Sequence, residues 1–295
     1  MRRIPVALLL AVAAALAVAG ASLRGIPREG PRTFRVATFN IHKGADRRGQ
    51  YDLERTIAAI DSLGADLVGV QEAMRNDPAF DCDDQPRLIA EGLRRRTGRR
   101  WTHVYAKAWI TEDRQCAQRG RGDDVATEGL AFLASERLIM SGSVRLNEGR
   151  VGLAVRLAPI ADVTFVVTHL AANRQNQPDR IREIAALLPW AARHGPGVLM
   201  GDFNVEPGAP ELHPVMAHYR DAWAEAAARG QVGGVATGST RPNRVSRIDY
   251  VLYAPRVNLT LESVDVVDTA MLGLGEVSDH LPVVATFRRT ADPVR

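Results

Sequence analysis

Certain polar residues recur at the margins of apolar runs in this chain, and the chemistry they share is narrow. Asn40, Glu72, His169 and the pair Asp202/Asn204 each close such a run, while Asp249 and Asp279-His280 each open one. In "GVLMGDFN" Asp202 and Asn204 are two apart, so their side chains share a face if the strand continues through them. Strand ends on a rigid scaffold are where catalytic groups collect. Carboxylates and amide oxygens are hard ligands suited to Mg²⁺ or Mn²⁺, and the missing thiolates argue against zinc. Two histidines with carboxylates at hand can act as acid or base, each fixed in one tautomer by an acidic partner. A hard cation with His/Asp pairs and amide donors suits phosphoryl chemistry, where positioning and charge neutralisation do most of the catalysis.

Such groups need elements to hold them. "FRVATFNI" reads as a strand with Asn40 at its end, and "ADLVGVQE" as a buried strand ending at Glu72. Between them Asp52 caps a helix over 53–63, with Leu53, Ile57, Ile60 and Leu63 on one face and Gly64 as its stop. "GLAFLAS", "VGLAVRL" and "DVTFVVTHL" are three further strands. A helix over 178–193 presents Ile181, Ile184, Ala185 and Leu188 on one face, with Pro189 predicting a kink. After the strand that delivers Asp202, helical potential at 221–229 gives way to a Gly/Ser/Thr/Arg loop over 230–247. "IDYVLY", "LTLESVDVV" and "HLPVVATF" finish the chain as strands. Interspersed elements with no internal repeat and no obvious linker predict one mixed α/β domain over 34–288, followed by a short tail at 289–295.

"ATFNI", "DLVGVQE", "VVTHL", "GDFN", "IDYV" and "SDHLPV" stand in the order and approximate spacing of the endonuclease/exonuclease/phosphatase superfamily, the DNase I-like group. The resemblance runs from Phe34 to Phe287. It implies a four-layer α/β sandwich, two packed mixed β-sheets each covered by helices, with the site at one edge. By the same resemblance Glu72 is the principal metal-binding carboxylate. Asn40 is a ligand or supporting hydrogen-bond partner beside it, and Asp279 a further carboxylate near the metal. His280 resembles the general base that activates water, and Asp249 the carboxylate that orients it. Asp202 and Asn204 resemble the pair that positions the nucleophile and stabilises the pentacovalent phosphorus. His169 resembles the second histidine, which contacts the phosphate or assists the leaving group, and Glu128 matches the position that often pairs with it. One departure matters: some nucleases of the family carry an acidic residue two positions after the asparagine, where this chain has His42. That implies a single hard cation held through Glu72, and leaves His42 and Lys43 to meet substrate phosphate or to face solvent.

The bulk properties set limits. The chain has 295 residues, 46% hydrophobic and 24% charged, enough to bury a full core. A net charge of +4 does not by itself mark a polyanion-binding protein. Arg2 and Arg3 precede an uncharged Ala/Val/Leu run that ends in Ala19-Gly20-Ala21, which predicts a secretory signal peptide over 1–21 and a linker over 22–33. An uncleaved membrane anchor is the alternative reading of that run. The protein is thus expected to be secreted or extracytoplasmic, with any membrane contact made only through a retained N-terminal segment. In an exported chain the two cysteines, Cys82 and Cys116, are expected to be bridged. "LRRRTGRRW" reads as a helix C-terminus whose cations face water, in preference to a nucleic-acid patch.

These features predict a Mg²⁺- or Mn²⁺-dependent phosphoesterase, acting on a phosphodiester and working as a monomer without an obligate protein partner. Nucleic acid and a lipid headgroup both remain open as the substrate. A non-catalytic binding protein on the same fold is disfavoured, because binding alone would not require the complete His/Asp set.

Overall fold

The computed structural model describes residues 33–121 and 125–290. The predicted signal peptide and nearly all of the linker, and the last five residues of the tail, lie outside the described residues. Thirteen strands form two mixed sheets among the described residues. The seven-stranded sheet has the order β10-β12-β13-β1-β2-β4-β3. Its strands are β1 (Thr33–Asn40), β2 (Leu67–Arg75), β3 (Thr102–Ile110), β4 (Thr127–Ala134), β10 (Val232–Gly234), β12 (Leu259–Val266) and β13 (Val283–Arg289). The six-stranded sheet has the order β5-β6-β7-β8-β11-β9. It contains β5 (Leu138–Asn147), β6 (Arg150–Leu157), β7 (Thr164–His169), β8 (Gly197–Asp202), β9 (Arg220–Asp221) and β11 (Asp249–Tyr253).

The sheets face each other across a core in which Phe34, Val36, Leu67 and Phe132 of one meet Phe165, Val167, Met200 and Val251 of the other. Complete burial of a side chain of this size is worth about 1.5–3 kcal/mol, so this inner layer is the main adhesive of the fold. Outside the first sheet lie α1 (Leu53–Ser62) and α2 (Gln85–Thr97), which bury Ile57, Ile60, Ile89 and Leu93 against it. The second sheet is covered by α4 (Gln177–Arg193) and α5 (His213–Met216), through Ile184, Leu187, Trp190 and Val215. Two shorter helices, α3 (Gln115–Gln118) and α6 (Ala222–Ala228), complete the described set. The result is the expected four-layer sandwich.

Local rules account for several boundaries. Asp52 caps α1 by accepting from Arg55 N at 2.9 Å, and Gly64 leaves the helix at a φ of 58°. The arginine run closes α2, with Gly98 at a φ of 67° as the C-cap. Arg95, Arg96 and Arg99 pair with Glu54, Asp61 and Asp66, so these cations do sit on a solvated helix end.

Helix α4 departs from expectation. Its buried face is Arg180, Glu183, Ile184, Leu187, Trp190 and Ala191, whereas Ile181 is half exposed. Two charged residues are drawn inward because the preceding loop and Glu211, beyond the helix, supply their partners. Arg180 donates to Ala171 O and Asn173 O and pairs with Glu211, and Glu183 accepts from Ala171 N. Cys82 and Cys116 form the predicted disulfide, with Cα atoms 5.6 Å apart and a sequence separation of 34. No helix among the described residues is long and apolar enough to cross a membrane.

Candidate active site

Strand register assembles the site. Across the second sheet His169 of β7, Asp202 of β8 and Asp249 of β11 are direct partners in neighbouring strands, so their side chains rise in one row on the same face. In the first sheet Asn40 of β1 pairs in register with Gln71 of β2, which sets Glu72 just beyond it. His280 arrives on the segment entering β13, which is laced to β1: Ser278 Oγ donates to Asn40 O at 2.7 Å and accepts from His280 N. All the strand-end residues therefore meet at one edge of the sandwich.

The row is tightly bonded. Asp249 Oδ2 accepts from His280 Nδ1 at 2.8 Å, and Asp202 Oδ2 lies 3.6 Å from His280 Nε2 and 3.5 Å from His169 Nε2. Asn40 Nδ2 donates to Asp202 Oδ2 at 3.2 Å and to Glu72 Oε1 at 3.0 Å, while its own Oδ1 accepts from His42 N. In this arrangement Asn40 acts as a strut between two carboxylates, and its oxygen is already engaged. Asn204 N donates to Asp202 Oδ1 and its side-chain amide is anchored on Leu170 O.

Two backbone features deliver these groups. Gly201, at a φ of 140°, lies so close to β7 that a Cβ would stand 2.0 Å from Thr168 O, so only glycine fits immediately before Asp202. Glu72 and Asn204 each hold a φ of 54° without being glycine. Glu72 does so within an irregularity between Val70 and Ala73 where β2 pairs with β4.

Burial and charge tune the acids and bases. Burial disfavours the Asp202 carboxylate and the Asp249 charge adds to this, so its pKa is raised. Burial alone would depress His280, but the Asp249 and Asp202 carboxylates outweigh it and lift the imidazole to about 9. His169 is held well below its ordinary value by burial, reinforced by the Arg150 charge, and is neutral. Glu128 is raised by burial and then by the charge of Glu72.

Three placements differ in detail from the motif-derived picture. Glu128 and His169 line one small cavity of about 10 Å³, but the ion pair of Glu128 is with Lys43 Nζ at 3.4 Å. His42 turns its Nδ1 back onto Ala45 O in its own loop. Asp279 is at the site, where its Oδ2 holds Arg241 Nη2 at 2.9 Å. Arg241 is the residue that sequence reasoning missed. Its Nη1 sits 2.8 Å from His280 Nε2, a contact in which the ring must offer a lone pair. It lies in an aperiodic loop between two motifs, and an arginine in "GSTRPNRVSR" carries no signal of where it will point.

Asp202, Asp249 and His280 bring ligand atoms within 4.8 Å of one another, a set compatible with a divalent cation. Asp249 Oδ1 is buried without a hydrogen-bond partner, and Glu72 and Glu128 bring two acids together against one lysine. Oxygen and imidazole donors with an unneutralised acid are what a hard ion requires, so the residues present fit such a group.

Comparison with known proteins agrees with this geometry. Residues 37–280 match the model of the Endonuclease/Exonuclease/phosphatase family, and the chain belongs to that family. No curated protein matches it in sequence. Among solved structures it is similar to an endonuclease/exonuclease/phosphatase from Beutenbergia cavernae, at 24% identity and a TM-score of 0.66, covering 90% of this chain and 73% of that one. The catalytic domain of human nocturnin, with bound sulfate, is similar at 22% identity and a TM-score of 0.63, over 88% of this chain and 94% of that one. A mannosyl-6-phosphatase from Bacteroides thetaiotaomicron is similar at 15% identity and a TM-score of 0.62, over 86% and 99%. These likenesses establish the shared fold, and family membership supports phosphoester hydrolysis as the class of reaction.

Proposed function

We propose that this protein is an exported, Mg²⁺- or Mn²⁺-dependent phosphodiesterase in which His280, oriented by Asp249, takes a proton from the attacking water. The observation that carries the reading is the buried His280 imidazole, bonded through Nδ1 to Asp249 and presenting Nε2 toward Asp202. Asp249 fixes the tautomer in which Nε2 is the basic nitrogen. In the metal-free protein the Asp249 and Asp202 carboxylates favour the imidazolium; Arg241, whose N–H can donate only to an unprotonated Nε2, and a cation held at Asp202 would both favour the neutral ring that can take a proton. Asp202, braced by Asn40 and by the backbone of Asn204, lies where it can align the water. His169, neutral and buried beside Asp202, is suited to hydrogen-bond a phosphoryl oxygen or the departing oxygen. Glu72, with Asn40 as its strut, and Asp202 are the residues that would hold the cation. When bound, the cation would supply charge neutralisation at the phosphoryl group.

The test is hydrolysis by the purified protein with Mg²⁺ of bis-p-nitrophenyl phosphate, plasmid DNA, sphingomyelin and p-nitrophenyl phosphate. Diester cleavage that is abolished by EDTA and by His280→Ala is expected. Activity that survives both would overturn the mechanism, and exclusive cleavage of the monoester would replace diesterase with phosphatase.

A further inference from the structure

Beside the bonded row, on the side of Asn204 and Arg241, lies a cleft of about 820 Å³. Its volume falls in the range of pockets that hold a nucleotide-sized molecule. Because Asn204 and Arg241 belong both to this cleft and to the site, a group seated here would be joined to a phosphate at His280. Three arginines and two glutamates line it, but their charges are not equally available. Arg180 is buried and bound to Glu211, whose other oxygen accepts from Gln177, so that pair is internally neutral. Glu206 accepts from Ser246 Oγ at 2.9 Å, and Arg241 is held by Asp279. Arg244 is left as an exposed guanidinium that lines the cleft with no carboxylate partner among the described residues. Between these polar groups Val205, Ala209, Pro210 and Ile248 supply a short apolar surface.

Building on the phosphodiesterase reading, we propose that this cleft receives the part of the substrate beyond the scissile phosphate, a hydroxyl-bearing ring that carries a second phosphate. Arg244 is the residue that selects for that second anion. A planar guanidinium with no internal partner binds phosphate through paired N–H donors, and the ring lies on the apolar wall with its hydroxyls toward Glu206, Asn173 and Gln177. Nucleotides and sugar phosphates share this chemistry, whereas a choline headgroup brings a cation to the arginine.

The experiment titrates adenosine 3′,5′-bisphosphate, glucose 1,6-bisphosphate and phosphocholine into the full-length protein, with EDTA present to stop turnover. At least one bisphosphate is expected to bind well above phosphocholine, and the tighter of the two names the source of the ring. Arg244→Ala should weaken that binding about tenfold, the loss of one charge-assisted contact, and Arg244→Lys should recover part of it. Equal affinity for all three ligands, or binding unchanged in Arg244→Ala, would overturn the assignment. A wild-type protein that binds a bisphosphate through Arg244 yet hydrolyses no diester with Mg²⁺ would refute the phosphodiesterase reading and not the cleft.

Discussion

The site has two halves of opposite character. Around His280, the chain supplies its own counterparts: Asp249 and Asp202 flank the imidazole, and Arg241 ties it to Asp279. Around Glu72 a second acid stands close by: Glu128 is raised by burial and then by the Glu72 charge, with Lys43 as its paired cation. One half is organised by internal hydrogen bonds in a low-dielectric setting, where paired groups hold each other strongly. The other is left with surplus negative charge. Such a surplus beside a paired acid and base is where the proposed cation would be held.

This contrast can be broken in several ways, and the largest effect should come from the completed half. Asp249→Asn is expected to lower kcat on bis-p-nitrophenyl phosphate roughly a thousandfold, because the imidazole loses both its tautomer and its orientation. A variant within a few-fold of wild type would mean that the Asp249–His280 contact is only structural.

The half around Glu72 also has a covalent tie, since the disulfide joins the segment after β2 to the segment before β4. Cys82→Ser with Cys116→Ser should cost roughly 3–4 kcal/mol in urea unfolding, from the loop entropy released, and should slow catalysis less than Asp249→Asn does. A double variant as stable as wild type would remove the staple from this account.

Proton linkage gives the next effect. His280 rises from an ordinary 6.5 to about 9 on folding, so its favourable contribution is complete below about pH 6.5. It is lost as pH climbs through about 9, and Asp202, also raised, acts in the same direction. The metal-free protein should therefore lose about 3 kcal/mol between pH 6 and pH 10, and Asp249→Asn should lose much less. Denaturant titrations at the two pH values read this directly; a flat profile for the wild type would contradict the pairing.

A smaller change distinguishes the half around Glu72. Mg²⁺ at a hundred times its dissociation constant should stabilise the wild type by about 2–3 kcal/mol, and Glu72→Gln should forfeit most of that. Equal stabilisation of both proteins would move the cation to the Asp202/Asp249/His280 cluster.

Sequence carried much of this organisation, because strand ends announce themselves. Apolar runs that stop at a carboxylate, an amide or an imidazole located Asn40, Glu72, His169 and Asp202, and strand register then brought them together. What was hidden has physical reasons. The face of α4 was misjudged because Ile181 and Ala185 fit an apolar stripe, while Arg180 and Glu183 are buried by partners distant in sequence. β5 escaped notice although its residues alternate between half-buried and exposed, since Ser, Gly and Arg dilute the pattern. Arg241 was invisible because its position depends on a loop held by Ser239, whose hydroxyl accepts from Arg241 N and Ser246 N. No periodicity records bonds of that kind.

The left-handed backbone at Glu72 has one more consequence. An L-residue other than glycine in that region costs about 1–2 kcal/mol, so the residue best suited to the backbone there is not the one that the chemistry requires. Two variants that both delete the carboxylate separate these demands. Glu72→Gly should be more stable than Glu72→Ala by about 1 kcal/mol in thermal unfolding, although neither should hydrolyse diesters. The protein would then be sturdier with a glycine at the centre of its site than with an alanine, so backbone comfort and metal-site chemistry make opposite demands on this one position.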